Sequence, residues 1–163
     1  MPKIVKKDKE LEKIKSSQYY KFVYFISEKL IIWNFLIFIL FYFNSSFVLQ
    51  KMIISLVITF ATAEAIKGVY IKKRPSKPLL GHKIDSSFPS SHAAVSSGLF
   101  FSSIFFSTNI VYSIIMLILA VMVSVGRVLG GAHYKIDVIG GLLLSLICVT
   151  VVYLLNLSIN LSI

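Results

Sequence analysis

The sequence contains few of the residues that build disulfides or metal centres. Cys148 is the single cysteine among 163 residues, so no disulfide can form within the chain and cysteine says nothing about the redox compartment. No compact group of His, Cys, Asp and Glu at metal-ligand spacing occurs, and we therefore predict no metal site. A metal hydrolase assembled from distant residues is kept as an alternative: His82, Asp85, His92, His133 and Asp137.

Acidic residues are also scarce, since seven Asp and Glu against 17 Lys and Arg give a formal net charge of +10. A basic chain of this kind can bind nucleic acid, but no groove-reading or base-stacking element is visible, so no nucleic-acid partner is predicted. No cleavable secretory signal is predicted either, because the basic segment before the first apolar run is long and no small-residue cleavage site follows that run.

Hydrophobic residues, in contrast, make up 56% of the chain and are grouped in five stretches at 22–43, 52–71, 88–107, 110–129 and 136–159. About 20 apolar residues cross the roughly 30 Å of a bilayer core. We therefore predict an all-α, integral-membrane helical bundle with about five transmembrane helices, located in a cell membrane. Ser27, Glu28, Lys29 and Asn34 interrupt the first stretch, so four spans are the alternative.

The chain divides into two predicted parts. Residues 1–21 mix basic, acidic and apolar residues as an amphipathic segment at a membrane interface does, and residues 22–163 form a single transmembrane domain. With five spans, the N-terminus, the long connection after the second span and the short connection after the fourth span lie on one membrane side. Nearly all Lys and Arg fall on that side, and Lys51 is the exception. The positive-inside tendency makes that side cytoplasmic.

Three groups of polar residues meet the membrane on the crowded side. In the first, Lys67 lies near a helix end and Arg74, followed by Pro75, lies in the next loop. Both cations can fold over one phosphate, and Arg supplies bidentate geometry. Two ordinary interfacial cations are the competing interpretation.

In the second group, Pro89-Ser90-Ser91-His92 directly precedes an apolar helix. Ser90 or Ser91 is a candidate N-cap, and a helix N-terminus offers free N–H groups and a favourable dipole to an anion. His92 in the first turn is positioned to protonate a leaving oxygen. A capping serine pair beside an interfacial histidine is the competing interpretation.

The third group runs from Gly126-Arg127 to His133 and Asp137. His133 and Asp137 are four residues apart, so they share one face if the last helix includes both. A carboxylate bonded to one ring nitrogen leaves the other nitrogen available to attack phosphorus, and Arg127 adds a cation for the transferring phosphoryl group. Helix capping by Arg127 and His133, with Asp137 paired to Lys135 or Arg127, is the alternative.

Three further residues carry weaker signals. Glu64 precedes Lys67 by three residues, which predicts an ion pair within the second span and no catalytic role. His82 and Asp85 lie in the longest loop, where a solvent-facing position is expected.

In this order and spacing, the three groups resemble the type 2 phosphatidic acid phosphatase (PAP2) superfamily, whose signature is K-x6-RP, then PSGH, then SR-x5-H-x3-D. The resemblance covers Lys67 to Asp137. It implies that His133 forms a phosphohistidine, that Asp137 orients it and that His92 protonates the leaving group. It implies no metal or other cofactor. The implied phosphate-binding residues are Lys67, Arg74, Ser90, Ser91 through its backbone amide, and Arg127.

The sequence departs from the signature at two positions. Ser91 stands where the motif usually has Gly and adds a side chain near the phosphate, and Gly126 stands where it usually has Ser and removes a hydroxyl. The family also commonly has six spans and an extracytoplasmic site, whereas five spans and a cytoplasmic site are predicted here.

The resulting hypothesis is metal-independent hydrolysis of a lipid phosphomonoester, or of a lipid or polyprenyl diphosphate such as undecaprenyl diphosphate, by a membrane phosphatase. The expected partners are the lipid substrate and the bilayer. A protein that uses the same cations only to bind or transport a phospholipid headgroup is the alternative from another class.

Overall fold

The computed structural model of the chain describes residues 17–42, 46–75, 85–107 and 109–157. In these ranges the chain is helical, without strands, which confirms the all-α prediction. The helices are α1 (Gln18–Tyr42), α2 (Ser46–Val69), α3 (Ser91–Phe106), α4 (Ile110–Leu129) and α5 (Lys135–Leu154). The segment Phe25–Lys29 within α1 is a π-helical turn.

The helix lengths fit a multi-pass membrane protein. Helices α1, α2, α4 and α5 are long and apolar enough to cross a bilayer, whereas α3 has 16 residues and rises only about 24 Å. Large apolar side chains such as Leu40, Val57 and Ile147 are exposed on the outside of the bundle, as a lipid-facing surface requires. The predicted membrane bundle is confirmed, and the described residues contain four helices of full spanning length and one shorter apolar helix.

The helix ends follow local capping. Helix α4 occupies its predicted range. Helix α1 begins at Gln18, before the predicted start at residue 22, because the Ser17 hydroxyl caps it by accepting a hydrogen bond from the backbone N–H of Tyr20 at 3.1 Å. Helix α5 ends at Leu154, before the predicted limit of residue 159. Of the predicted interfacial segment 1–21, residues 1–16 lie outside the described residues, and so does the loop histidine His82.

Helix α3 is the common neighbour of the other helices, because small side chains let all four pack against it. Ser97 of α3 meets Ser145 of α5 with the two hydroxyl oxygens 2.7 Å apart. A Cβ at Gly141 of α5 would lie 2.7 Å from the Ser90 carbonyl oxygen, so only glycine allows α5 to approach the start of α3 this closely.

The two ends of the bundle differ in character. At one end, the Tyr42 hydroxyl bonds to Ser107, and the Lys51 ammonium bonds to the side-chain oxygen of Asn156. At the other end, the end of α2, the start of α3, the end of α4 and the start of α5 meet with their connecting segments. The three sequence groups thus lie at one end, as predicted.

Candidate active site

A cavity of about 280 Å³ opens at this second end of the bundle. Six of the eight predicted site residues line it: Lys67, Arg74, Ser91, His92, Arg127 and His133. Ser90 and Asp137 are not part of the lining and are fully buried behind it. These six predicted residues, up to 66 positions apart in sequence, therefore converge on a single space.

His133 is buried, and its two ring nitrogens have different partners. Nδ1 lies 2.7 Å from the carbonyl oxygen of Ser87, which can only accept, so Nδ1 carries the proton. Nε2 therefore has the lone pair and accepts a hydrogen bond from Nη1 of Arg74 at 3.1 Å. This is the tautomer that a nucleophilic imidazole needs.

The surroundings of His133 also keep it neutral. Burial, followed by the positive charges of Arg127 and Arg74, lowers the pKa of its imidazole from 6.5 to about 2. The ring thus holds its Nε2 lone pair across the physiological pH range.

Asp137 supports His133 indirectly. Its Oδ2 accepts from the Ser87 hydroxyl at 2.8 Å and from the backbone N–H of Tyr134 at 2.9 Å, while Oδ1 pairs with the Lys72 ammonium at 2.5 Å. Oδ2 lies 3.9 Å from Nδ1 of His133, too far for the direct hydrogen bond that the sequence predicted. The carboxylate caps the first turn of α5 instead, and the Ser87 backbone takes the place beside the ring.

Arg74 joins both connecting segments at the cavity wall. Besides His133, its Nη1 donates to the carbonyl oxygen of Ala132 at 2.8 Å, and its Nη2 donates to Asp85 at 2.9 Å. The Asp85 side chain is 48% exposed, as expected for a loop residue that faces solvent, and it also lines the cavity.

Lys67 and Ser91 share one carboxylate. The Lys67 ammonium lies 2.9 Å from Oε1 of Glu64, which confirms the predicted ion pair, and the Ser91 hydroxyl donates to the same oxygen at 2.6 Å. The side chain at the position of the motif glycine therefore bonds to Glu64, which itself lines the cavity.

Ser90 is the N-cap of α3 in backbone conformation, but its side chain makes no capping hydrogen bond. Its backbone N–H donates to the carbonyl oxygen of Asp137 at 2.9 Å. Its buried hydroxyl has no partner within the described ranges.

Arg127 is almost completely buried, with 1% of its surface exposed. Its Nη1 contacts the carbonyl oxygen of Ser27 at 3.4 Å and the Ser27 hydroxyl at 3.2 Å, and it forms an ion pair with Oε1 of Glu28. The other carboxylate oxygen of Glu28 lies 3.5 Å from Nε2 of His92. One carboxylate thus lies against two of the predicted site residues.

Gly126 explains how α1 comes so close to Arg127. A Cβ at this position would lie 2.8 Å from Cγ1 of Ile26 and 2.9 Å from the backbone N of Ser27. The π-helical turn of α1 thus fills the space that a side chain at position 126 would occupy. The Ser27 hydroxyl, and not a hydroxyl at position 126, contacts Arg127.

Sequence reasoning missed three contributors: Glu28, Lys72 and Ser87. Glu28 interrupts the first apolar run, and a charged residue inside such a run is itself a signal of function. Lys72 and Ser87 carried no such signal, because their partner Asp137 is distant in sequence. No three His, Cys, Asp or Glu side chains gather as metal ligands among the described residues, and His82 lies outside them.

Comparison with known proteins gives a family and a fold. A sequence model described as the PAP2 superfamily matches residues 2–159. A search of curated protein sequences finds no match. The crystal structure of Aquifex aeolicus LpxE is similar at 19% identity and a TM-score of 0.65, covering 88% of this chain and 92% of that chain. The transmembrane PAP2 type phosphatidylglycerolphosphate phosphatase from Bacillus subtilis is similar at 21% identity and a TM-score of 0.52, covering 90% of each chain.

Proposed function

Because the chain belongs to the PAP2 superfamily, we propose that it is a membrane phosphatase that hydrolyses a lipid phosphate or diphosphate through a phosphohistidine. The observation that carries this proposal is the geometry of His133. Its unprotonated Nε2 lies at the wall of a cavity that Lys67, Arg74 and Arg127 also line. A lone pair beside three cations is the arrangement that phosphoryl transfer to a protein nucleophile requires.

In the first half of the reaction, the bound phosphate takes over the hydrogen bond that Arg74 donates to Nε2 of His133. The freed lone pair of Nε2 attacks phosphorus while the bond from phosphorus to the leaving oxygen breaks. His92 gives its proton to that oxygen, so the product leaves as an alcohol or as a shorter phosphate. Charge on the transferring group spreads over its equatorial oxygens, where the cations stabilise it.

In the second half, water attacks the phosphohistidine, the P–N bond breaks and inorganic phosphate leaves. His92, now unprotonated, takes a proton from the attacking water and returns to its starting form. Asp137 and Ser87 keep the ring of His133 in place throughout. No step uses a metal, so we expect turnover in the presence of a chelator.

An apolar cleft beside the cavity supports a lipid substrate. It has a volume of about 660 Å³, lies between α1 and α2, and is lined by Phe35, Leu49 and Val57 among other apolar residues. Phe60 lines both this cleft and the polar cavity, so a hydrocarbon chain and its phosphate can occupy adjoining spaces. Phosphatidate, phosphatidylglycerophosphate and polyprenyl diphosphate are the candidate substrates.

We place the site on the cytoplasmic side. Among the described residues, Lys51 is the single Lys or Arg at the far end of the bundle, while Lys67, Lys72, Lys73 and Arg74 crowd the site end. The positive-inside tendency supports this orientation.

The test is phosphate release by purified protein from each candidate lipid, with a chelator present. We expect release by wild type and none by His133→Ala. Binding of the lipids without release would instead indicate a headgroup-binding or transport protein, and loss of release on chelation would indicate a metal hydrolase.

A further inference from the structure

A carboxylate outside the three sequence motifs lies directly behind the cavity wall. We propose that Glu28 is a positioning residue of the active site, which anchors Arg127 and orients the protonated form of His92. This inference rests on the proposed phosphatase function, and it adds to the active site a residue of α1, a helix that contains none of the three motifs.

The contacts of Glu28 join two residues with different predicted tasks. Oε1 pairs with the guanidinium of Arg127, and Oε2 lies 3.5 Å from Nε2 of His92. Arg127 and His92 line the cavity, whereas Glu28 does not. The negative charge is therefore separated from an incoming phosphate by the two groups that it holds.

The local backbone is built for this contact. A π-helical turn, which is rare and often found at functional sites, spans Phe25–Lys29. It brings the carbonyl and hydroxyl oxygens of Ser27 to the same Nη1 atom that Glu28 binds. Because Gly126 has no side chain, the turn can lie directly against α4.

Electrostatics give Glu28 two effects. A nearly completely buried guanidinium needs a counter-charge, and Glu28 supplies one whose side chain is only 20% exposed. A carboxylate beside an imidazole also favours the protonated ring, which is the form that donates to a leaving oxygen. Within the ranges that the structure describes, the other titratable and charged groups that line the cavity are Glu64, Lys67, Arg74, Asp85, Arg127 and His133.

The experiment compares Glu28→Gln with Glu28→Asp on two classes of substrate. One is a lipid alkyl phosphate, whose leaving oxygen needs a proton, and the other is para-nitrophenyl phosphate, whose leaving group departs without one. The amide oxygen of Gln can still accept from Arg127, so Glu28→Gln chiefly removes the negative charge beside His92. We expect it to lower kcat for the alkyl phosphate about 10- to 100-fold, the order of a weakened acid catalyst, and for the aryl phosphate about threefold or less.

The pH profile supplies a second readout. At alkaline pH, kcat for the alkyl phosphate falls because His92 loses the proton that it donates. Without the carboxylate charge, this fall should occur at lower pH. Glu28→Asp keeps the charge and should keep both the wild-type profile and the wild-type ratio between substrates. Lys29→Gln, in the same turn but exposed, is the matched control and should change kcat about twofold or less.

Equal losses on both substrates, or an unmoved pH profile in Glu28→Gln, would reduce Glu28 to a structural ion pair and overturn the inference. If Glu28→Gln does not fold, as judged by its thermal unfolding in detergent, Glu28→Asp decides: a changed substrate ratio despite the retained charge overturns the inference. Wild-type protein that releases no phosphate from any substrate would reject the proposed function itself, which is a different result.

Discussion

The imidazole of His133 is held by the backbone of Ser87, whose carbonyl oxygen lies 2.7 Å from Nδ1. Ser87 is held in turn from two directions, by Asp137 at its hydroxyl and by the Lys72 carbonyl oxygen, which accepts from its backbone N–H at 2.9 Å. The orientation of the candidate nucleophile therefore depends on a loop segment and not on a single carboxylate.

This arrangement predicts graded effects of substitutions behind His133. Asp137→Asn removes the charge that pairs with Lys72 and loosens the Ser87 segment, so kcat should fall about 10- to 100-fold, as small displacements of reacting groups do. Ser87→Ala keeps the carbonyl and loses one hydroxyl contact, so kcat should fall about tenfold or less.

Steady-state phosphate release measures the effects of both the Asp137→Asn and the Ser87→Ala substitutions. Lys135→Ala, an exposed change at the same end, is the control, and a Ser87→Ala loss as large as that of His133→Ala would contradict the prediction.

A second prediction concerns the protonation of His133. With a pKa of about 2 in the folded protein, its ring should remain neutral at pH 5, where an ordinary imidazole is mostly protonated. Nitrogen-15 NMR of histidine-labelled protein checks this, because the chain has three histidines and His133→Gln assigns the signal. One protonated and one unprotonated ring nitrogen are expected at pH 5, and two protonated nitrogens would contradict the prediction.

The same pKa has a consequence for stability. The unfolded chain binds a proton at this ring below about pH 6.5, whereas the folded chain does not until the pH approaches 2. Its contribution to the free energy of unfolding is therefore fully present above about pH 6.5 and decreases as the pH falls through this window.

Gly126→Ala tests the close approach of α1 and α4. The new Cβ would meet Ile26 and the backbone of Ser27 within 3 Å, so we expect about 1–3 kcal/mol of destabilisation and reduced activity as the Glu28–Arg127 pair moves apart. Thermal unfolding in detergent measures the first effect and phosphate release the second.

Gly68 provides the matched control for this substitution. It also lies in a helix, but a Cβ there would meet nothing within 4 Å, so Gly68→Ala should be neutral or stabilising by about 0.5–1 kcal/mol. Equal stability of the two variants would show that α1 does not depend on the glycine.

Ser91→Ala tests the departure from the motif glycine. Loss of the hydroxyl removes one of the two groups that hold the Glu64 carboxylate, and the Glu64–Lys67 ion pair becomes less fixed in position. KM for the lipid phosphate should therefore change about 2- to 10-fold, the range of one hydrogen bond. Inhibition by inorganic phosphate should change in parallel. Unaltered KM and inhibition would mean that Ser91 serves only the packing of α3.

Membrane orientation can be measured with single cysteines after Cys148→Ala. Lys73→Cys places an exposed thiol at the site end, and Asn109→Cys places one at the far end, where α4 begins. In intact cells, an impermeant maleimide should label Asn109→Cys and leave Lys73→Cys unlabelled. The reverse pattern would put the site on the extracytoplasmic side.

Sequence reasoning succeeded where the information is local. Apolar runs of nearly constant length gave the helices, and capping residues such as Ser17 account for shifts of a few positions at their ends. The i,i+3 pair of Glu64 and Lys67 was likewise predictable, because a regular helix fixes that distance.

The parts that could not be predicted depend on how helices pack. Glu28 and Arg127 are 99 positions apart in sequence, and their contact depends on a π-helical turn that no residue pattern predicts. The i,i+4 spacing of His133 and Asp137 predicts that the two side chains lie close together, and they are 3.9 Å apart. Helix capping, however, directs the carboxylate to the backbone N–H of Tyr134, and the Ser87 carbonyl lies beside the ring instead.

The carboxylates of Glu64 and Asp85, which line the cavity, affect the binding and release of an anion. Lys67 already pairs with Glu64, and Arg74 with Asp85, so a phosphate that binds these two cations exchanges one set of ion pairs for another. In the proposed reaction, the same carboxylates compete for the cations after hydrolysis and favour departure of the free phosphate. Glu64 and Asp85, which have no role in the proposed chemical steps, would thus oppose the tight product retention that limits turnover.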